Sequence, residues 1–116
     1  MKSGNLAAAA VMAVFATPAF AHAFLDHASP GAGATLDAAP KEIALSFTKD
    51  LEPSLSGIAV SDADGHDEEA AGAVIGGSSM TVALKPLTPG TYHVSWYVVS
   101  QDSHRTEGAY SFTVKP

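Results

Sequence analysis

The chain of 116 residues contains no cysteine, so disulfides and thiolate metal sites are closed to it and stability must come from packing. Cations are scarce as well: six lysines and arginines stand against twelve aspartates and glutamates, a formal net charge of −6. Such a surface repels phosphate backbones and argues against nucleic acid as a partner. Aromatic residues make up 8% of the chain, too few for a flat polysaccharide-binding face. Methionine is confined to Met1, Met12 and Met80, so a sulfur-rich metal site is not supported. No internal repeat or low-complexity tract is present.

What is present begins with a short apolar leader. Lys2 supplies a positive start, residues 6–16 are almost unbroken apolar sequence, and Ala19-Phe20-Ala21 is an A-x-A cleavage signal. The run falls short of the ~20 residues that a membrane span requires. We therefore expect residues 1–21 to be a cleaved export signal and residues 22–116 to be one small domain. Cleavage removes Lys2 and no acid, leaving five basic against twelve acidic residues, a balance of −7. Ala21-His22-Ala23 also reads A-x-A, so a second cleavage register exists.

After the leader the pattern is that of short strands. Ile43, Leu45 and Phe47 alternate with polar or small neighbours, as do Ile58 and Val60, then Met80, Val82 and Leu84, and Tyr110, Phe112 and Val114. In the longest run Tyr92, Val94, Trp96 and Val98 share one face, assigned to the core, while His93 faces the other way. Ser29-Pro30-Gly31, Ala39-Pro40, Gly76-Gly77 and the segment from Pro86 to Gly90 supply breaks. The expected fold class is all-β, a Greek-key sandwich or barrel.

Cleavage after Ala21 makes His22 the first residue, whose α-amine and imidazole form a ready chelate for a divalent metal. Asp102-Ser103-His104 lies 82 positions downstream of it. On extended backbone, residues two apart point to one face, so Asp102 and His104 would present a carboxylate and an imidazole to one point. Two imidazoles, an amine and a carboxylate suit copper(II), which favours nitrogen and oxygen donors and heads the divalent affinity order. Six reversing strands at residues 24–28, 42–48, 56–61, 71–75, 79–84 and 91–99 bring the start of the first and the end of the sixth to the same pole. That count depends on the weak fourth strand. It also sets residues 49–55 beside the site and the acidic tract at the other pole.

Other polar groups have simpler readings. His27 lies five residues beyond His22, ~16 Å along a strand and too far to share one ion. The tract Asp62-Ala63-Asp64-Gly65-His66-Asp67-Glu68-Glu69 fails the EF-hand register, because Asp67 stands where glycine is required and Ala73 where glutamate is. It reads as a solvated hairpin loop, with His66 a weak metal ligand at most. Met80 reads as core.

His22-Ala23-Phe24-Leu25-Asp26-His27-Ala28-Ser29-Pro30, Ile43-Ala44-Leu45-Ser46-Phe47, the run from Gly90 to Ser100 followed by Asp102-x-His104, and the closing segment Gly108 to Val114 together resemble the CopC family of periplasmic copper-binding proteins. The resemblance spans essentially the whole domain after the leader. It implies a cupredoxin-like β-barrel that binds copper(II) through its first residue and the Asp-x-His pair, roles that fall here on His22, Asp102 and His104. It further implies exchange of copper with a CopD-like membrane transporter. The methionine-rich copper(I) segment of some members has no counterpart in this chain. Family members often carry a glutamate after the second strand, where this chain offers Asp50 or Glu52, a choice the sequence leaves open.

The leading expectation is thus a monomeric periplasmic copper carrier or buffer, not an enzyme. Two other classes remain: a copper oxygenase holding its metal with an N-terminal histidine and a second histidine, and a metal-free immunoglobulin-like interaction module.

Overall fold

The computed structural model describes residues 23–116, so His22 and the expected leader lie outside the described residues. The described residues form eight strands: β1 (Leu25–Ser29), β2 (Thr35–Leu36), β3 (Glu42–Phe47), β4 (Gly57–Ser61), β5 (Val74–Gly76), β6 (Ser79–Ala83), β7 (Gly90–Val99) and β8 (Arg105–Val114). They make two four-stranded sheets, ordered β1-β3-β6-β5 and β2-β8-β7-β4. All pairings are antiparallel except that of β2 with β8. The fold class is the expected all-β one.

Period-two alternation fills the space between the sheets. Ile43, Leu45 and Phe47 from β3 and Met80 and Val82 from β6 meet Val60, Tyr92, Val94, Val98, Phe112 and Val114 from the other sheet, all buried. Met80 is fully buried, as its alternation with Val82 predicts. Phe47 meets Trp96 edge-on with ring centroids 5.1 Å apart, and Tyr92 stacks on Phe112 at 5.5 Å. Both geometries are favoured by the ring quadrupoles. Trp96 is only half-buried, and its indole lies where a Cβ on Gly108 would sit, 2.5 Å from Cζ2. Glycine at that place lets the indole lie flat across β8.

The weak fourth strand exists but is shorter than expected. β5 has three residues and returns to β6 through Gly77 at φ 60°, the left-handed region that glycine enters without strain. With β5 present, the reversals hold. β7 runs from the pole of the acidic tract, where Ser61 pairs with His93, to the pole where Val99 pairs with Arg105. Two elements were not legible in the pattern: β2, too short to alternate, and a single 3-10 turn at Pro53–Leu55.

Candidate metal centre

Ser100, the residue after β7, continues the core-face parity of Val94, Trp96 and Val98, and it is 1% exposed. A buried hydroxyl must find a partner. Ser100 Oγ donates to the carboxylate of Asp102, and it also lies 3.3 Å from the His104 carbonyl. The backbone closes the same loop, with Ser100 N–H donating to the His104 carbonyl at 2.9 Å and Ser103 N–H to the Ser100 carbonyl at 2.8 Å. Asp102 and His104 consequently face each other, Nδ1 to Oδ1 3.3 Å, both half-exposed.

The pair meets for a different reason than the sequence suggested. Residues 101–103 are a turn, not extended backbone, and Ser103 sits at φ 73°. The alternation argument therefore fails locally, and the tight turn closed by Ser100 brings the two side chains to one side instead. The Ser100 hydrogen bond, and after it the contacts with His104, hold the Asp102 carboxyl below the usual carboxylate range. It is an anion at neutral pH.

Two further segments converge on this loop. Gln101 N–H donates to the Asp50 carbonyl at 3.2 Å, Glu52 N–H to the Val99 carbonyl at 2.7 Å, and Leu51 bridges Ser100. Thr48, Lys49, Asp50, Gln101 and Asp102 line one shallow cavity, so Asp50 borders the space beside Asp102. The beginning of the described chain arrives at the same pole. Ala23 is fully buried, and its carbonyl accepts from Thr106 Oγ1 at 2.6 Å across 83 positions. Next to it, Phe24 exchanges two hydrogen bonds of 2.9 Å with Thr48, one through the threonine hydroxyl and one through its backbone N–H.

The remaining histidines lie elsewhere. His27 is exposed on β1, and His93 is exposed with Nδ1 2.8 Å from Ser111 Oγ. At the far pole Asp62, Asp64 and His66 bring ligand atoms within 4.8 Å of one another. There the Asp62 carboxylate accepts from the N–H groups of Asp64 at 2.9 Å and His66 at 2.8 Å, and meets His66 Nδ1 at 3.1 Å. The loop is self-bonded, in keeping with its reading as a solvated hairpin.

Sequence reasoning missed Ser100, Thr48 and Thr106. Ser100 had a usable signal, a polar residue at a position whose parity assigns it to the core. The threonines had none, because their partners are backbone groups distant in sequence.

Comparison with known proteins gives the family. The CopC domain model matches residues 25–115. Copper resistance protein C of Xanthomonas campestris pv. juglandis is 42% identical over 106 residues, covering 84% of this chain and 83% of that protein. Among solved structures, CopC from Methylosinus trichosporium OB3b superposes with a TM-score of 0.76 at 37% identity, over 82% of this chain and 95% of the other. PcoC, a methionine-rich copper resistance protein from Escherichia coli, does so with a TM-score of 0.71 at 35% identity, over 81% of this chain and 99% of the other. This chain belongs to the CopC family.

Proposed function

We propose that the processed chain, residues 22–116, is a periplasmic copper(II)-binding protein that carries or buffers copper in copper homeostasis and resistance. It binds the ion through His22, Asp102 and His104 and catalyses no reaction. The observation that carries this reading is the hydrogen bond from Thr106 to the Ala23 carbonyl, which joins the residue next to His22 to the strand that His104 leads into. A cut after Ala21 frees the His22 amine, which then joins the His22 imidazole one peptide link from that bond.

The chemistry selects the metal. An amine and two imidazoles supply nitrogen donors, and the ionised Asp102 supplies an oxygen, the donor set that favours copper(II) among divalent ions. Copper(I) prefers thioether and thiolate, and the methionine of the described residues, Met80, is sealed in the core. The barrel preorganises the donors, because β7 and β8 fix the loop of residues 100–104 from both sides. Half-exposed ligands on a rim suit a cargo ion that must be taken up and released. The protein acts as a monomer and exchanges copper with a CopD-like membrane transporter.

The test uses protein recovered from the periplasm, its first residue fixed by intact mass. Copper(II) is titrated against a weak competing chelator, with His22→Ala and His104→Ala as variants. The expected result is one tightly held ion and weakened binding in each variant. Native affinity in both variants would refute the assignment.

A further inference from the structure

Residues 23 and 24 are each hydrogen-bonded to a threonine distant in sequence. We propose that Thr48 and Thr106 form a two-sided clasp on Ala23 and Phe24, the residues that follow the mature N-terminus, making both of them positioning residues for metal capture. The inference rests on the reading of His22 as a ligand. It adds which groups hold the two residues that follow the chelating one.

The geometry has three parts. Thr106 belongs to β8 in one sheet, and Thr48 follows β3 in the other, so the grips come from opposite sides of the barrel. Thr106 Oγ1 donates to the Ala23 carbonyl at 2.6 Å, while Thr48 accepts from Phe24 N–H and donates to the Phe24 carbonyl, each at 2.9 Å. The Ala23 methyl is buried in the core cluster, which adds an apolar anchor to the same residue. Threonine suits the task, because branching at Cβ restricts χ1 and keeps the hydroxyl aimed.

The consequence is energetic. A loose terminal residue must surrender its backbone freedom when it binds the ion, and that loss weakens binding. A clasped terminus surrenders most of it on folding. The clasp also discriminates between the two cleavage registers, since a chain starting at Phe24 lacks both the carbonyl that Thr106 grips and the buried Ala23 methyl.

The experiment uses protein beginning at His22 and reads copper(II) affinity against a weak chelator, the electron paramagnetic resonance spectrum of the bound ion, and melting of the metal-free form. Thr106→Val keeps the shape and removes the donor. We expect it to lose about tenfold in affinity, the scale of one ordinary hydrogen bond, with an altered spectrum. Thr106→Ser should recover to within about twofold of the parent, because it restores the donor. Thr48→Val should lose less, since the bond from its backbone N–H to Phe24 survives, and it tests the other half of the clasp should Thr106→Val not fold. Parent affinity and spectrum in Thr106→Val, with both lost in His22→Ala, would overturn the clasp and leave the ligand assignment standing. A lowered melting temperature with an unchanged spectrum would also overturn it, marking Thr106 as structural only. Parent affinity in His22→Ala would overturn the ligand assignment, and the clasp with it.

Discussion

The two poles of the barrel each carry an aspartate facing a histidine, at nearly the same separation: 3.3 Å for Asp102 and His104, 3.1 Å for Asp62 and His66. Their settings differ. At the far pole, the Asp62 carboxylate accepts the N–H groups of its own loop, two and four residues away, and those bonds hold its carboxyl below the usual range, led by the His66 N–H. At the other pole, the Asp102 loop is tied to residues 50–52 and adjoins the start of the chain through Thr106 and Ala23. One pair completes a turn. The other sits where three segments distant in sequence meet. The proposed assignment therefore rests on the origin of the neighbours and not on the proximity of an acid to a histidine, which both poles share.

The sharpest way to break this comparison is to remove one histidine from each pole. His104→Ala should weaken copper(II) binding at least about a hundredfold, more than the loss of an outer-shell contact. His66→Ala should stay within about twofold of the parent, as expected for a distant and independent position. Equal losses, measured by chelator competition, would erase the distinction between the poles.

Acid provides the next test. Amine and imidazole ligands must shed protons to bind, so affinity should fall at least about tenfold from pH ~8 to ~6. Asp102, held ionised by the Ser100 hydroxyl, stays an anion through that window, so the loss belongs to the nitrogen donors. Affinity that stayed flat over this range would contradict nitrogen ligation.

A smaller effect concerns the barrel between the poles. Among the described residues the sealed Tyr110 hydroxyl has no hydrogen-bond partner, although the residue as a whole is half-buried, and burial pushes its pKa up to about 12. The folded state therefore favours neutral Tyr110. Its contribution is complete below the unfolded value of ~10 and is lost as pH rises from there towards the folded value. Tyr110→Phe removes the unpaired hydroxyl and should raise stability by up to about 1 kcal/mol, read as a higher urea midpoint with an unchanged slope. It should also flatten the alkaline limb. Copper affinity should not change.

The smallest effect separates the two carboxylates. Both are depressed in the folded state, so the stability each contributes is present above the ordinary carboxylate pKa and lost as pH falls through the lower folded value. Ser100→Ala should move the Asp102 titration towards its ordinary position and leave Asp62 where it was, followed by carboxyl carbon shifts in the metal-free protein. Movement of both would mean that the poles communicate.

Much of this architecture could be read from the chain, for a physical reason. Strands that bury one face write a period of two into the sequence, and Ile43, Leu45, Met80, Val82, Val94 and Val98 all lie in the core as that period requires. β2 left no such mark, being two residues held by parallel pairing to β8. Asp102 and His104 were singled out for chemistry that suits a metal, yet the reason given for their meeting, extended backbone, was replaced by a turn. Ser103 at φ 73° and the Ser100 hydroxyl make that turn, and neither follows from side-chain periodicity. The threonine contacts to Ala23 and Phe24 were illegible for another reason: a hydrogen bond to a backbone group leaves no signature in its partner's identity. Where residues 48–50 run was illegible too, and the path of the chain puts Asp50 in the cavity beside Asp102.

The most direct measurement compares two forms of the protein by electron paramagnetic resonance of bound copper(II), one beginning at His22 and one retaining Ala21. The extra residue turns the His22 amine into an amide while leaving every described residue in place. The account predicts that the first form shows nitrogen coupling from an amine and two imidazoles, and that the extended form loses this spectrum together with its affinity. Identical spectra and affinities in the two forms would contradict it.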